Sequence, residues 1–186
     1  MSAISHAKIL IMATDGFEQS ELLVPRDRLR DKHASVHVAT PDGAAIKGWD
    51  EDDWGESVEA DLAIADVDPS SYDALVLPGG QINPDKLRIN EDALDVIRGF
   101  AKRDKPIAAI CHAPWLLIEA GLVEGRKATS FKSIATDMRN AGAEWVDEEV
   151  VQDGPIITSR NPDDLEAFVA RIVAAVTGED ETKAAA

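Results

Sequence analysis

The chain has 186 residues, 45% of them hydrophobic, which suits one domain spanning 1–186 with its own core. Its 35 acidic against 19 basic residues leave a formal net charge of −16, which excludes a nucleic-acid partner held by its phosphates. No apolar run is long enough to cross a bilayer, no basic-then-apolar leader opens the chain, and one cysteine makes no internal disulfide; the expected location is cytoplasmic, with no membrane partner.

Ala7 to Ala13 is the first strand expected, apolar after Lys8 and broken by Asp15-Gly16. A helix follows from Glu18 to about Lys32, carrying Leu22, Leu23 and Leu29. Ser35 to Ala39 reads as the second strand, closed by the turn Pro41-Asp42-Gly43. The acidic stretch from Trp49 to Glu56 reads as a solvated loop, with two tryptophans available to pack on the body or on a second subunit. Ala74 to Leu77 is a buried strand ended by Pro78-Gly79-Gly80, and Glu91 to Lys102 a helix. The apolar run that opens with Pro106 and leads to Cys111 is a further buried strand, and a helix starts near Pro114 and stops at Gly121. Shorter pieces follow: Ala128-Thr129, a helix around Ile134 to Asn140, and strands near Trp145 and Val150. Ile156 to Ser159 is the last strand and Asp163 to Val176 the closing helix, leaving residues 178–186 as a polar, alanine-rich tail expected to fray. Strands alternating with helices point to right-handed crossovers and a doubly wound, mostly parallel sheet. Ligands bind such sheets beyond the carboxyl ends of the strands.

The only cysteine, Cys111, stands where a buried strand becomes a helix. That junction turns the chain sharply and lifts the side chain above the sheet edge, while the helix N-terminus favours thiolate over thiol. A low-pKa thiol is therefore expected. Gly79-Gly80 lacks the spacing of a dinucleotide or phosphate loop; it makes a tight turn and offers backbone N–H groups to an oxyanion. His6, His33 and His37 form no metal-ligand pattern, so neither a metal nor another cofactor is expected.

Ala109-Ile110-Cys111-His112-Ala113-Pro114 resembles the nucleophile motif of the ThiJ/PfpI superfamily, in its PfpI branch. Asp15-Gly16-Phe17-Glu18, Leu77-Pro78-Gly79-Gly80 and Asn83 to Arg88 resemble its acidic loop, its glycine turn and the segment after that turn. Gly125 to Ser130, Asn140 to Trp145 and Thr158 to Leu165 match its later blocks in order, so the likeness covers roughly residues 7 to 176. It implies a flavodoxin-like three-layer sandwich of the class I glutamine amidotransferase type. It also implies Cys111 as nucleophile, His112 as general base, and Glu18 beside the thiol as a protonated carboxyl. A carboxylate from a neighbouring subunit orients the base in this branch; Asp85 stands at that position, Asp in place of the more usual Glu. Ala113 stands where the motif commonly has Gly, narrowing the room beside the thiol. Phe131 stands where some relatives have Tyr, removing a pocket hydroxyl. The partners so implied are a small carbonyl or peptide substrate and further copies of the chain, as a dimer or a hexamer.

Three functions fit these residues. The first is a cysteine-dependent stress-response enzyme acting on reactive carbonyls, glyoxalase III-like or deglycase-like, whose thiolate adds to an aldehyde. The second is an intracellular cysteine peptidase of PfpI type. The third is a redox-sensing thiol or chaperone with no turnover.

The net charge of −16 generates self-repulsion that opposes the compact state. Salt screens it, the Debye length falling from about 10 Å at 0.1 M to about 3 Å at 1 M. Melting temperature is expected to rise with potassium chloride, most steeply at low concentration. A flat series, or equal gains in a neutral osmolyte, would remove charge screening as the cause.

Overall fold

Short runs of aliphatic residues, buried on both faces, build the centre of the molecule. In the computed structural model, which describes residues 3–179, the chain begins with β1 (Lys8–Met12), β2 (Phe17–Glu18) and helix α1 (Gln19–Asp31). Next come β3 (Ser35–Thr40), the pair β4 (Ile46–Asp50) and β5 (Asp53–Val58), β6 (Leu62–Ala63) and β7 (Ala74–Leu77). Helices α2 (Ile82–Leu87) and α3 (Glu91–Ala101) lead to β8 (Ile107–Ile110) and α4 (Pro114–Glu119). The last third holds β9 (Lys127–Ala128), α5 (Ala135–Asn140), β10 (Glu144–Trp145), β11 (Val150–Asp153), β12 (Ile156–Ser159) and α6 (Leu165–Thr177).

Seven strands form the main sheet in the order β11-β12-β8-β7-β1-β3-β6, and only β11 runs antiparallel to its neighbour. Helices α3, α4 and α5 cover one face through Leu94, Ile97, Phe100, Leu116, Leu117 and Met138. Helices α1 and α6 cover the other through Leu22, Leu29, Phe168 and Ile172. This is the flavodoxin-like three-layer sandwich that the sequence implies. Chain order reverses between β1 and β7, so the crevice opens where their carboxyl ends diverge, beside the end of β8.

One stretch differs from the sequence reading, and one that it left unassigned forms a helix. The acidic segment is not a loop: β4 and β5 form a hairpin, and Trp49 faces Trp54 edge-on with ring centroids 5.5 Å apart. A cross-strand aromatic pair holds the register there while the carboxylates face water, a pattern that charge counting alone hides. Residues 82–87 fold as a short helix because Pro84 falls in its first turn, where no N–H is needed. Helix α6 ends on Gly178 at φ +72°, and most of the tail, residues 180–186, lies outside the described residues.

Candidate active site

At the end of β8 the chain has to reverse direction within one residue, and Cys111 does so at φ +64°. A non-glycine residue pays roughly 1–3 kcal/mol for a conformation of this kind, so the surroundings must hold it. Its N–H donates to the carbonyl of Ser159 (3.1 Å), and its own carbonyl accepts from the N–H of Phe131 (2.8 Å). The N–H of Ala113 closes the turn on the carbonyl of Ile110 (3.0 Å), and Pro114 opens α4. The elbow that results keeps the thiol only 6% exposed.

The glycine turn after β7 packs against this elbow. A Cβ on Gly79 would lie 2.6 Å from Cys111 Cβ, from Glu21 Oε2 and from the Ile110 carbonyl, so only glycine fits. Gly80 has φ +75° and a Cβ there would meet the backbone of Gly16 and Glu18. Asn83, fully buried on α2, ties the crevice together: Oδ1 accepts from the N–H of Thr14 (2.8 Å), and Nδ2 donates to the carbonyls of Pro78 and Gly79. The Gly79 N–H is not free for an oxyanion, since it donates to Glu21 Oε2 (2.8 Å). The Gly80 and His112 N–H groups are the ones aimed at the sulfur.

The carboxyl against the thiol is that of Glu21 rather than Glu18. Glu18 caps the start of α1, half-buried, with its side chain accepting from Ser20 Oγ (3.2 Å). Glu21 lies one helical turn later on the inward face with Leu22, Pro25 and Leu29, wholly out of solvent. A glutamate among apolar residues at i and i+4 spacing (21, 25, 29) is a signal present in the sequence. Burial pushes its carboxyl up to about 8, the charge of Glu18 adds to the rise, and the Gly79 N–H only partly opposes it. Near neutral pH Glu21 therefore keeps its proton.

Burial also pushes the Cys111 thiol above the value of free cysteine, and an ionised Glu21 pushes it further, against the Gly80 and His112 N–H groups. This overturns the expectation of a low-pKa thiol. Helix α4 has six residues, and its dipole is small beside the cost of burying charge. The two groups hold protons as a pair: a thiolate forms only while Glu21 stays neutral.

His112 Nδ1 lies 3.1 Å from Cys111 Sγ, so the elbow that lifts the thiol also folds its neighbour back onto it. The imidazole stacks on Phe131 (centroids 4.8 Å, 25°) and meets Trp115 edge-on (5.3 Å). Burial holds it below the usual histidine range, so it is neutral at pH 7. Its Nε2 lies 3.0 Å from Ser133 Oγ, a partner that the sequence reading missed. Ala113 is wholly buried behind the thiol, and Phe131 is 37% exposed at the edge of the imidazole. Asp85 is exposed on α2 and has no side-chain hydrogen bond or ion pair among the described residues. Within one chain the structure thus brings together Cys111, His112, Gly79, Gly80, Ala113 and Phe131, adds Glu21, Asn83 and Ser133, and leaves Asp85 apart. No cluster of three metal-ligating side chains occurs among the described residues.

Fold and site together describe an α/β sandwich with a strained cysteine elbow at its topological switch point. The chain belongs to the DJ-1/PfpI family, whose model matches residues 7–175. It is 43% identical over 166 residues to Deglycase PfpI of Pyrococcus furiosus, covering 89% of this chain and 97% of the relative. It is 44% identical over 164 residues to Protein/nucleic acid deglycase 2 of Escherichia coli, covering 87% and 92%. Among solved structures, DJ-1beta of Drosophila melanogaster superposes with a TM-score of 0.85 at 30% identity, covering 94% of this chain and 92% of that one.

Glu21 gives the site a signature in stability. Its folded pKa of about 8 lies above the ordinary 4.5, so the native state holds a proton that the unfolded chain releases. That contribution is full below 4.5 and is lost as pH rises through 8, by up to about 1.4 kcal/mol per pH unit. Glu21→Gln keeps an oxygen for the Gly79 N–H but cannot ionise, so its melting temperature should gain on the wild type as pH rises from 5 to 8. Parallel profiles would mean that Glu21 is ionised in the fold. Alkylation of wild-type Cys111 by iodoacetamide should inflect above the free-cysteine value of about 8.5.

Proposed function

We propose that the chain is a cysteine-dependent enzyme of deglycase type, acting on reactive carbonyl compounds and their adducts with amines. The observation that carries this reading is the enclosed thiol at the Cys111 elbow, 3.1 Å from a neutral imidazole and against a carboxyl that keeps its proton. Sγ adds to the carbonyl carbon as its proton passes to Nδ1 of His112. Kept neutral, Glu21 sets no negative charge against the sulfur, and the Gly80 and His112 N–H groups favour it as an anion. The substrate oxygen then takes up the proton from Nδ1, so that one S–C bond and one O–H bond replace the S–H bond and the carbonyl π bond, and the product is a hemithioacetal.

Size favours a small substrate. With the cysteine 6% exposed and Phe131 beside the imidazole, an aldehyde reaches the sulfur more readily than the peptide bond of a folded protein. The deglycase names of the two relatives support the same class. The test is turnover of methylglyoxal and of a methylglyoxal–arginine adduct, beside a peptidase assay on a denatured protein. Cys111→Ser should abolish turnover, and His112→Ala should lower it by about 10²–10⁴-fold. Turnover that survives Cys111→Ser would overturn the reading, and cleavage of polypeptide alone would replace it with the peptidase.

A further inference from the structure

We propose that Ser133 is a positioning residue for this site, the solvent end of a relay that carries the Cys111 proton through the His112 ring. The proposal rests on Cys111 being the nucleophile of the function proposed above, and it concerns how that thiol loses its proton.

The geometry is continuous. Sγ lies 3.1 Å from Nδ1, and Nε2 on the other side of the ring lies 3.0 Å from Ser133 Oγ. His112 is 8% exposed, whereas Ser133 is an exposed residue of the 3-10 turn Lys132–Ile134. Phe131 stacked on one face and Trp115 against an edge keep the ring from turning over to exchange its nitrogens. A buried thiol therefore has a hydrogen-bonded route to water through one ring and one hydroxyl.

The step balances without an oxidant or reductant. The S–H bond breaks, sulfur keeps the electron pair, and the proton binds Nδ1. The Nε2–H bond breaks and that proton binds Ser133 Oγ, whose own proton leaves to water. The imidazole ends neutral in its other tautomer, with Nδ1–H facing the thiolate. A carboxylate only accepts hydrogen bonds, so at Nε2 it would hold the ring in one tautomer. A hydroxyl both donates and accepts, so it serves the tautomer before the transfer and the one after it. This matters because, among the described residues of one chain, the buried ring has the thiol and the Ser133 hydroxyl as its hydrogen-bond partners and no carboxylate, and so is poorly placed to store the proton as imidazolium.

The experiment compares wild type, Ser133→Ala, Ser133→Thr and Asp85→Asn as full-length proteins. The readouts are the iodoacetamide rate at fixed pH, the ¹⁵N signals of the His112 ring, and turnover. Ser133→Ala should slow alkylation by about 10-fold, short of the ~10²–10⁴-fold expected for loss of a whole acid–base group. It should also shift the His112 tautomer signals, while the melting temperature stays close to wild type because Ser133 is exposed. Ser133→Thr, which keeps the hydroxyl, should restore rate and signals, and Asp85→Asn should move both less than Ser133→Ala does. A Ser133→Ala protein with wild-type alkylation and wild-type ring signals would overturn the proposal, as would Asp85→Asn reproducing the loss. Because alkylation and ring signals need no substrate, a protein that shows both effects but turns over no carbonyl would refute the proposed function and uphold the relay.

Discussion

The site depends on a proton that burial holds on Glu21 up to about pH 8. Glu21 is sealed under the glycine turn with one oxygen on the Gly79 N–H, and its other oxygen has no hydrogen-bond partner. Ionising it there would place a bare charge in the core, a cost that only the proton removes. Once that proton is fixed, the rest follows in order. The neutral carboxyl supports sulfur as an anion, the sulfur must sit within reach of it, and only a positive-φ elbow at Cys111 brings it there. The strain at Cys111 is held by the sheet itself, through Ser159 on β12. Scaffold and chemistry therefore share a hydrogen bond, and loosening β12 would loosen the nucleophile.

Most of the architecture is legible in the sequence because the parallel sheet speaks in unbroken apolar runs. Ala74 to Leu77 and Ile156 to Ser159 are found with the same ends in the structure. The cysteine junction is legible too, since a buried run ending in Cys111 and resuming at Pro114 leaves no room for a loop. What stays hidden are partners set by tertiary approach. Glu18 and Glu21 are three residues apart in an acidic chain, and only the inward phase of α1 separates them. Asn83 looks like any loop asparagine until the crevice closes around it, and Ser133 becomes notable only when His112 turns toward it.

The thiol illustrates a competition that sequence reasoning misjudges. A helix start beside a cysteine suggests a lowered pKa, and the effect is worth up to about 2 kcal/mol in favourable geometry. Burial opposes it with shifts of up to about 3–5 pKa units for a fully buried group. With six residues in α4, the larger effect wins, and reactivity has to come from proton transfer rather than from a standing thiolate. Enclosure then has a use of its own: a thiol that is mostly neutral and mostly covered is spared the indiscriminate oxidation that an exposed thiolate invites.

The acidic hairpin gains meaning from the same frame. It binds the loop that leads into α1: the Gly16 N–H donates to the Lys47 carbonyl, the Lys47 N–H to Asp15, and the Glu56 N–H to Gln19 Oε1. Gly48 lies against the ring of Phe17, where a Cβ would come within 3.1 Å. The hairpin thus braces the start of the helix that presents Glu21. Its carboxylates act through space as well. Asp50 and Glu51 raise the pKa of Glu18, although burial of Glu18 is the larger cause, and the charge on Glu18 in turn raises Glu21. Negative charge at the rim favours the protonated form of Glu18, and Glu18 favours the protonated form of Glu21 only while it is itself ionised. Part of the acidity that the sequence presents as surface therefore bears on the chemistry at Cys111: it biases the carboxyls beside the thiol toward their neutral forms, while any negative charge close to the sulfur itself opposes the thiolate.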